Sequence, residues 1–410
     1  MTKNILYLSY DGMTDPLGQS QVLPYLTGLR KKGYNISLIS FEKPQAFAEN
    51  QSLILEICRG AGIEWHPMRY TKKPAFISTF YDIWRMKNKA AEIHESKSID
   101  LTHCRSYIAA MVGVWMKKKF KIPFVFDMRG FWANERVDGN LWDLKSPVYR
   151  RVYDFFKQRE KQFLEEADHT ICLTRAAEQE IHCWPHIRNN PINITVIPCC
   201  ADMDHFDPLK VTDEIKNLWR EKLHIINGDR IISYVGSIGT WYMPNEMLDF
   251  FKVMLEHDPK MRFLFITRDK PDLIRHMARQ KNIDPEKIIV RSGSRDEMPA
   301  LISLSDYALF FIKPAYSKKA SSPTKQAEIM RLGIPLICND QIGDTSYVVD
   351  KYQAGVVLKE FSTESYRAAI TKLAETSFDI PTIQQGAIDF FNLQSGIECY
   401  DKVYRKVLAI

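Results

Sequence analysis

Tyr307-Ala308-Leu309-Phe310-Phe311-Ile312, then Ser321-Ser322-Pro323-Thr324-Lys325-Gln326-Ala327-Glu328-Ile329-Met330-Arg331-Leu332-Gly333-Ile334-Pro335, then Leu336-Ile337-Cys338, reads as strand, helix, strand. The two apolar runs suit strands buried on both faces. Between them, Ser322 fits an N-cap, Pro323 a first helical position and Gly333 a C-terminal stop. A helix that starts just after a parallel strand aims free N–H groups and a positive dipole end at a crevice, where phosphate binds well. Thr324 adds a hydroxyl there and Lys325 a positive charge. Glu328 follows one turn later on the same face, placed to accept hydrogen bonds from the two hydroxyls of a ribose. Phosphate at the tip and a sugar one turn in suits a nucleotide-sugar. The same stretch also fits a plain strand–helix–strand unit with surface charges.

Working outward, the alternation repeats. The first half offers strands at 5–9, 36–40, 63–66, 101–103, 124–127, 170–173 and 195–197, with helical periods at 20–32, 47–61, 77–95, 108–119 and 147–167. In the last of these, Ser146 caps, Pro147 opens, and Val148, Val152, Phe155 and Phe156 form the expected buried stripe. The pattern breaks around Pro198–Pro208 and resumes with strands at 231–235, 263–267, 288–291, 307–312, 336–338 and 355–358. Two doubly wound, Rossmann-like α/β domains facing across a cleft are expected. Residues 1–204 form the acceptor-side domain and 205–390 the nucleotide-sugar domain. Residues 391–410 form a final helix, at about 397–408, that packs back on the first domain.

Each half opens on a strand that runs into a glycine-bearing loop, with Gly12 and Gly18 in one and Gly236 and Gly239 in the other. Glycine lets backbone approach a ligand closely. Neither loop has the G-x-G-x-x-G spacing of a dinucleotide site, and no acidic residue stands where an NAD ribose needs one, which disfavours a dehydrogenase.

The chain has 410 residues, 45% of them hydrophobic and 26% charged, so two globular domains are the default. No apolar run is long enough to span a bilayer. The start at Met1-Thr2-Lys3-Asn4 leads straight to a strand without a signal-peptide core, and eight scattered cysteines form no Cys-x-x-Cys pair. A cytoplasmic protein with reduced thiols is expected. The net charge of +6 is concentrated in the first half, where Lys72, Lys73, Arg85, Lys87, Lys117–Lys119, Arg150 and Arg151 alternate with Phe80, Tyr81, Trp84, Trp115 and Phe155. That mixture suits an anionic lipid surface, which would make the protein peripheral on the inner face of the cell membrane. It equally suits solvated lysines over core aromatics. No nucleic-acid-binding motif is present, and nucleic acid is not an expected partner.

Four segments together resemble the GT-B glycosyltransferases of family 4 over essentially the whole chain. They are the 12–18 loop leading to Val22–Leu26 and Gly33-Tyr34; Val196–Asp202 through Phe206 and Pro208; Tyr234-Val235-Gly236-Ser237; and the Ser322–Glu328 helix with Gly333-Ile334-Pro335. Arg105, Arg129-Gly130 and Glu135 further resemble a polysaccharide-assembly subset. The resemblance implies a metal-independent, retaining transfer of a hexosyl or deoxyhexosyl group. The donor is a nucleoside-diphosphate-sugar and no cofactor is used. The acceptor is a hydroxyl on a lipid-linked or polysaccharide glycan. It places the donor against Gly18, Ser237, Gly239, Ser292, Ser322, Thr324, Lys325 and Glu328, with Arg105 or Arg129 closing on the diphosphate and Asp127 near the reacting sugar. Arg129, Asp127 and Lys325 are the catalytic candidates.

Two departures stand out. Ala320 occupies the position, eight before Glu328, where the family often has a first glutamate. Ser237 stands where an arginine is common, and Tyr242 or Met243 falls near the usual lysine. A non-catalytic partner of this fold, or a nucleotide-sugar epimerase, therefore stays open. Asp202-Met203-Asp204 lies in the domain crossing and is not expected to bind metal. His103, alone after a strand, is expected to be structural.

Overall fold

The computed structural model describes residues 2–74 and 76–410. The chain divides into two compact units, Met1–Pro198 with Leu393–Ile410, and Cys199–Asn392. The cut falls ahead of the expected 204/205 because Cys199 and Ala201 already bond within the second unit. The Cys199 amide donates to Ser322 Oγ at 3.1 Å, and the Ala201 amide to the Phe391 carbonyl at 2.9 Å.

The first unit holds a seven-stranded sheet of β1 (Asn4–Ser9), β2 (Asn35–Glu42), β3 (Glu64–Arg69), β4 (Leu101–Arg105), β5 (Phe124–Asp127), β6 (His169–Cys172) and β7 (Ile194–Val196) in the order 3-2-1-4-5-6-7. All neighbours are parallel. The second holds β8 (Arg230–Val235), β9 (Met261–Ile266), β10 (Ile288–Arg291), β11 (Tyr307–Phe310), β12 (Leu336–Asn339) and β13 (Gly355–Leu358) in the order 10-9-8-11-12-13, again parallel. Central strands such as Phe124–Asp127 and Leu336–Asn339 are buried at every position, as continuous apolar runs require. Strand order reverses at β1/β4 and at β8/β11. At such switch points the loops diverge and leave a crevice beyond the carboxyl ends of the strands.

Several elements differ from the sequence expectation. The single helix expected over 20–32 is two, Pro16–Gln21 and Leu23–Lys31, broken at Val22 (φ −127°). Pro24 lacks the N–H that would continue the ladder, and its ring excludes the carbonyl four residues back. The Pro147–Glu166 helix buries Phe156, Glu160, Phe163 and Leu164, whereas Val148 is 59% exposed. Glu160 tolerates burial because its carboxylate accepts from the Tyr107 hydroxyl and the Lys157 ammonium. Strand β11 ends at Phe310 rather than Ile312, since the Ile312 amide and carbonyl bond the Asn339 side chain instead (2.8 and 3.0 Å).

The terminal helix Leu393–Leu408 packs on the Leu23–Lys31 helix of the first unit. Gly28 permits this approach: a Cβ there would lie 2.3 Å from Ile397 Cδ1. Tyr34 Oη donates to Asp401 at 2.6 Å, and Tyr25 and Tyr400 meet edge to face. All eight cysteines are free thiols. Among the described residues, no helix is long and apolar enough to cross a membrane.

Candidate functional site

In the second unit, the helix Thr324–Arg331 begins in the connection after β11, beside the loop that leaves β8. Pro323, extended at ψ 113°, occupies the N-cap position and Thr324 opens the helix. The expected cap at Ser322 is therefore displaced by one residue, and the Ser322 hydroxyl accepts the Cys199 amide instead. Lys325 is buried, and its ammonium has no hydrogen-bond partner among the described residues. Aromatic faces surround it: Nζ lies 3.7 Å from the ring centre of Tyr242 and 4.5 Å from that of Tyr234. Cation–π contact offsets part of its desolvation but supplies no anion. Burial pushes the Lys325 pKa down to about 7, against a smaller upward pull from Glu328.

Glu328 is half-buried one turn on. Burial pushes its carboxyl up to about 7, opposed by the positive charges of Arg295 and Lys325. Gly236 sits at φ +123°, a conformation that side-chain-bearing residues rarely adopt, and a Cβ there would also approach Lys325 Nζ to 2.8 Å. Ser237, Gly239 and Ser292 are exposed at the carboxyl ends of β8 and β10. The Ser237 carbonyl accepts from Tyr234 Oη, and the next amide, Ile238, donates to Asp269 Oδ2 at 2.7 Å. Thus Ser237, Ser322, Thr324, Lys325 and Glu328 line one switch point of one unit, with a buried cation that lacks a counter-charge in contact.

The first-unit candidates divide differently. Gly18 is buried: a Cβ there would strike the Gly12 carbonyl at 2.3 Å. The 12–18 loop folds on itself, and the Met13 and Thr14 amides donate to the buried Glu42 carboxylate (2.9 and 3.1 Å). Gly18 thus has a packing role in this structure. Asp127 has no exposed surface. It accepts from Tyr400 Oη at 2.9 Å, pairs with His103 Nε2 at 3.4 Å and lies 3.7 Å from Arg129 Nη1. Burial alone would raise its pKa, but Arg129, His103 and Arg105 outweigh that and hold it at about 2. His103 is itself enclosed, stacked on Tyr7 and bonded through Nδ1 to Tyr404 Oη at 2.8 Å. Burial pushes its pKa down, so the ring stays neutral and structural. Arg129 sits at φ +58°, a left-handed conformation that is costly outside glycine and typical of functional turns. Arg105, at the end of β4, is 3% exposed and 3.4 Å from Asp11 Oδ2 through Nε, while its Nη1 has no hydrogen-bond partner among the described residues. Asp202 caps its own turn, accepting from the Asp204 and His205 amides at 3.1 Å.

Comparison with known proteins agrees with this fold. A model of Glycosyltransferase Family 4 matches residues 20–205, and one of Glycosyl transferases group 1 matches residues 215–381. The chain belongs to the family 4-like GT-B glycosyltransferases. No curated protein sequence matches it. Among solved structures, sucrose-phosphate synthase from Thermosynechococcus elongatus is similar at a TM-score of 0.72 and 14% identity, covering 99% of both chains. Anabaena HepE, in complex with UDP and glucose, is similar at 0.67 and 12%, covering 98% of both. WaaG, a glycosyltransferase involved in lipopolysaccharide biosynthesis, is similar at 0.64 and 14%, covering 97% of this chain and 99% of its own. At these identities the likeness is one of fold.

Some groups beside these candidate residues were invisible in the sequence. Lys318, in the 3-10 helix Tyr316–Ala320, is buried with Nζ 3.6 Å from the ring centre of Trp241. Lys318 and Lys325 thus lie against adjacent rings of one loop, those of Trp241 and Tyr242. Glu42 organises the first loop. Neither has a local signature, because both act through tertiary contact; an aromatic Trp241-Tyr242 pair following a glycine-bearing loop is the one sequence hint.

Proposed function

We propose that this chain transfers a hexosyl or deoxyhexosyl group, with retention, from a nucleoside-diphosphate-sugar to an acceptor hydroxyl in cell-surface glycan assembly. The observation that carries the reading is the buried Lys325 ammonium without a hydrogen-bond partner among the described residues, at the first turn of a switch-point helix, with Glu328 one turn on. A buried cation without an anion is costly, and a bound diphosphate removes that cost. Charge develops on the leaving diphosphate as its bond to the anomeric carbon breaks and the acceptor oxygen bonds that carbon. Lys325, the Thr324 hydroxyl and the helix N-terminus stabilise that charge, with backbone at Ser237 and Gly239 assisting. The hydroxyl proton leaves with the departing phosphate oxygen. These positive groups do the work a divalent metal does elsewhere, so neither metal nor cofactor is required; activity is expected to survive chelation by EDTA. Glu328 holds the ribose, and the base rests against the loop after Ser292. Asp127 acts by positioning Arg129 rather than by touching sugar.

Glu328→Ala is expected to weaken donor binding about tenfold to a hundredfold, the loss of one or two hydrogen bonds to a charged acceptor. Calorimetric titration of UDP-, GDP-, ADP- and dTDP-sugars measures this. Unchanged affinity for whichever donor binds would remove Glu328 from the site. Turnover of the donor with no acceptor present, giving an epimer, would favour the epimerase reading.

The first unit suits a peripheral position on an anionic membrane. Ile77, Phe80, Tyr81 and Trp84 are each more than half exposed on one face of the Ile77–Lys97 helix. Lys72, Lys73 and Arg85 flank that face. Such a patch exceeds what singly scattered surface residues need. Co-sedimentation with vesicles containing anionic lipid is expected, falling as salt rises. Equal recovery with purely zwitterionic vesicles would refute the electrostatic part.

A further inference from the structure

The amino ends of β6 and β7 lie at the opposite end of the first-unit sheet from its switch point, under the terminal helix Leu393–Leu408. A cavity of about 210 Å³ opens there, lined by His169, Asn193, Thr195, Cys399, Lys402 and Lys406. Its volume lies below the range of sites for drug-sized ligands and suits a small ion. No carboxylate lines it among the described residues.

Lys402 and Lys406 stand one turn apart on the helix, where like charges repel. Neither ammonium pairs with a carboxylate among the described residues, and Lys406 Nζ donates only to Asn193 Oδ1, at 2.9 Å. The neighbouring carboxylates are engaged elsewhere: Asp401 by Tyr34 and Arg405, Glu398 by Gln394, Asp168 by Lys117 and the Phe124 amide. The negative end of the helix favours a basic residue in the last turn, which accounts for Lys406 but not for Lys402 a turn earlier.

His169 adds an independent observation. It is 4% exposed, and its Nε2 lies 2.8 Å from Thr195 Oγ1, while Nδ1 has no hydrogen-bond partner among the described residues. In the tautomer whose Nε2 accepts from the Thr195 hydroxyl, Nδ1 carries the proton and is a buried donor without an acceptor. Native proteins seldom leave such a group unsatisfied. Solvated lysines over a sheet end explain the two ammonium groups but not that donor. An oxyanion explains all three, because one phosphate accepts from several N–H groups at once.

We propose that this cavity is a site for inorganic phosphate, held by Lys402 and Lys406 from the terminal helix and by His169 from the start of β6. The small volume favours the free ion over a sugar phosphate. The bound ion ties the helix to the sheet. The same helix carries Tyr400 and Tyr404, which bond Asp127 and His103, so the ion braces the element that encloses Asp127. No step of the transfer reaction uses it.

Cys399 lines the same cavity as a free, partly exposed thiol, and Cys183 is an exposed thiol outside it. The test follows alkylation of both by iodoacetamide in the full chain, using peptide mass spectrometry, with inorganic phosphate compared against sodium chloride of equal ionic strength. Phosphate is expected to slow Cys399 alkylation about fivefold or more and to leave Cys183 unchanged, with half-protection at about 1 mM. Lys402→Gln and Lys406→Gln should each raise that concentration about tenfold. Lys402 makes no ion pair among the described residues, so its variant probes binding without disturbing the fold. Lys325→Ala protein, weakened at the donor helix, should show the wild-type protection. An unchanged Cys399 rate up to about 50 mM phosphate would overturn the proposal, and equal slowing by chloride would reduce the effect to screening and do the same. So would protection that neither lysine variant alters, or stronger protection by glucose 6-phosphate than by phosphate.

Discussion

Lys325→Ala is expected to lower kcat/KM by about a hundredfold to a thousandfold, about 3–4 kcal/mol, the loss seen when one preorganised group at a developing charge is removed. The same change should not unfold the second unit. It removes a buried charge that, among the described residues, lies against the rings of Tyr234, Tyr242 and Phe310 with a smaller pull from Glu328, so unliganded stability is expected to stay level or rise. That pairing of lost turnover with kept stability separates a functional cation from a structural one. A large fall in melting temperature with donor affinity intact would reverse the assignment.

The pH dependence follows from the same burial. The Lys325 pKa is about 7 when the site is empty, below its ordinary 10.5, so protonation is half complete near neutrality. Only the protonated form attracts a diphosphate. Nucleotide affinity therefore falls as pH rises above about 7, and near that pH Lys325 takes up part of a proton on binding. Glu328, raised from 4.5 to about 7, acts in the opposite sense: it must ionise to accept ribose hydroxyls, so affinity climbs as pH approaches 7 from below. The two titrate as a coupled pair, and the optimum lies near neutrality. Stability of the unliganded protein runs the other way. Glu328 holds more protons folded than unfolded between about 4.5 and 7, so stability falls with rising pH there. Lys325 holds fewer between about 7 and 10.5, so stability recovers. Calorimetry in buffers of differing ionisation enthalpy measures the net proton exchange: near pH 7 the uptake by Lys325 and the release by Glu328 oppose one another, and Lys325→Arg, which removes the uptake, should leave net release.

Much of this architecture was legible because parallel strands buried on both faces are short, uninterrupted apolar runs, and Phe124–Asp127 and Ile288–Arg291 keep their expected ends. The Thr324–Arg331 helix was legible for a related reason: Gly333, with φ +75°, and the following Pro335 punctuate it chemically. What the sequence could not show was whatever depends on the partner across space. Gly18 looked like a phosphate-approaching glycine, but a buried carboxylate from the end of β2 takes the loop amides. Val148 fitted a buried stripe by spacing, yet nothing in its own helix says where the neighbouring layer ends. Asp127 resembled a group near the reacting sugar. Its real neighbours, Tyr400 and Tyr404 on His103, lie some 270 or more residues away in sequence. A local pattern cannot reveal a contact closed by the last helix of the chain.

That contact supplies the second large effect. Asp127→Ala is expected to destabilise the first unit by about 3–5 kcal/mol, the cost of removing one partner from a buried charge pair. Without the carboxylate, the Tyr400 hydroxyl and the neutral His103 ring lose a hydrogen-bond partner, and Arg129 loses the charge that offsets its burial. Arg129 is held at φ +58°, so release of its partner should also let that turn relax. Tyr400→Phe, which removes only one neutral donor from the same carboxylate, should cost about 1–2 kcal/mol. Asp127→Asn keeps the shape and the Tyr400 acceptor but not the charge, and should fall between the two. Denaturant unfolding followed by near-ultraviolet signals of the first unit ranks the three. If instead Asp127→Ala kept full stability and lost turnover outright, the carboxylate would be acting on the sugar, and its enclosure by Tyr400, His103 and Arg129 would have to open during the reaction.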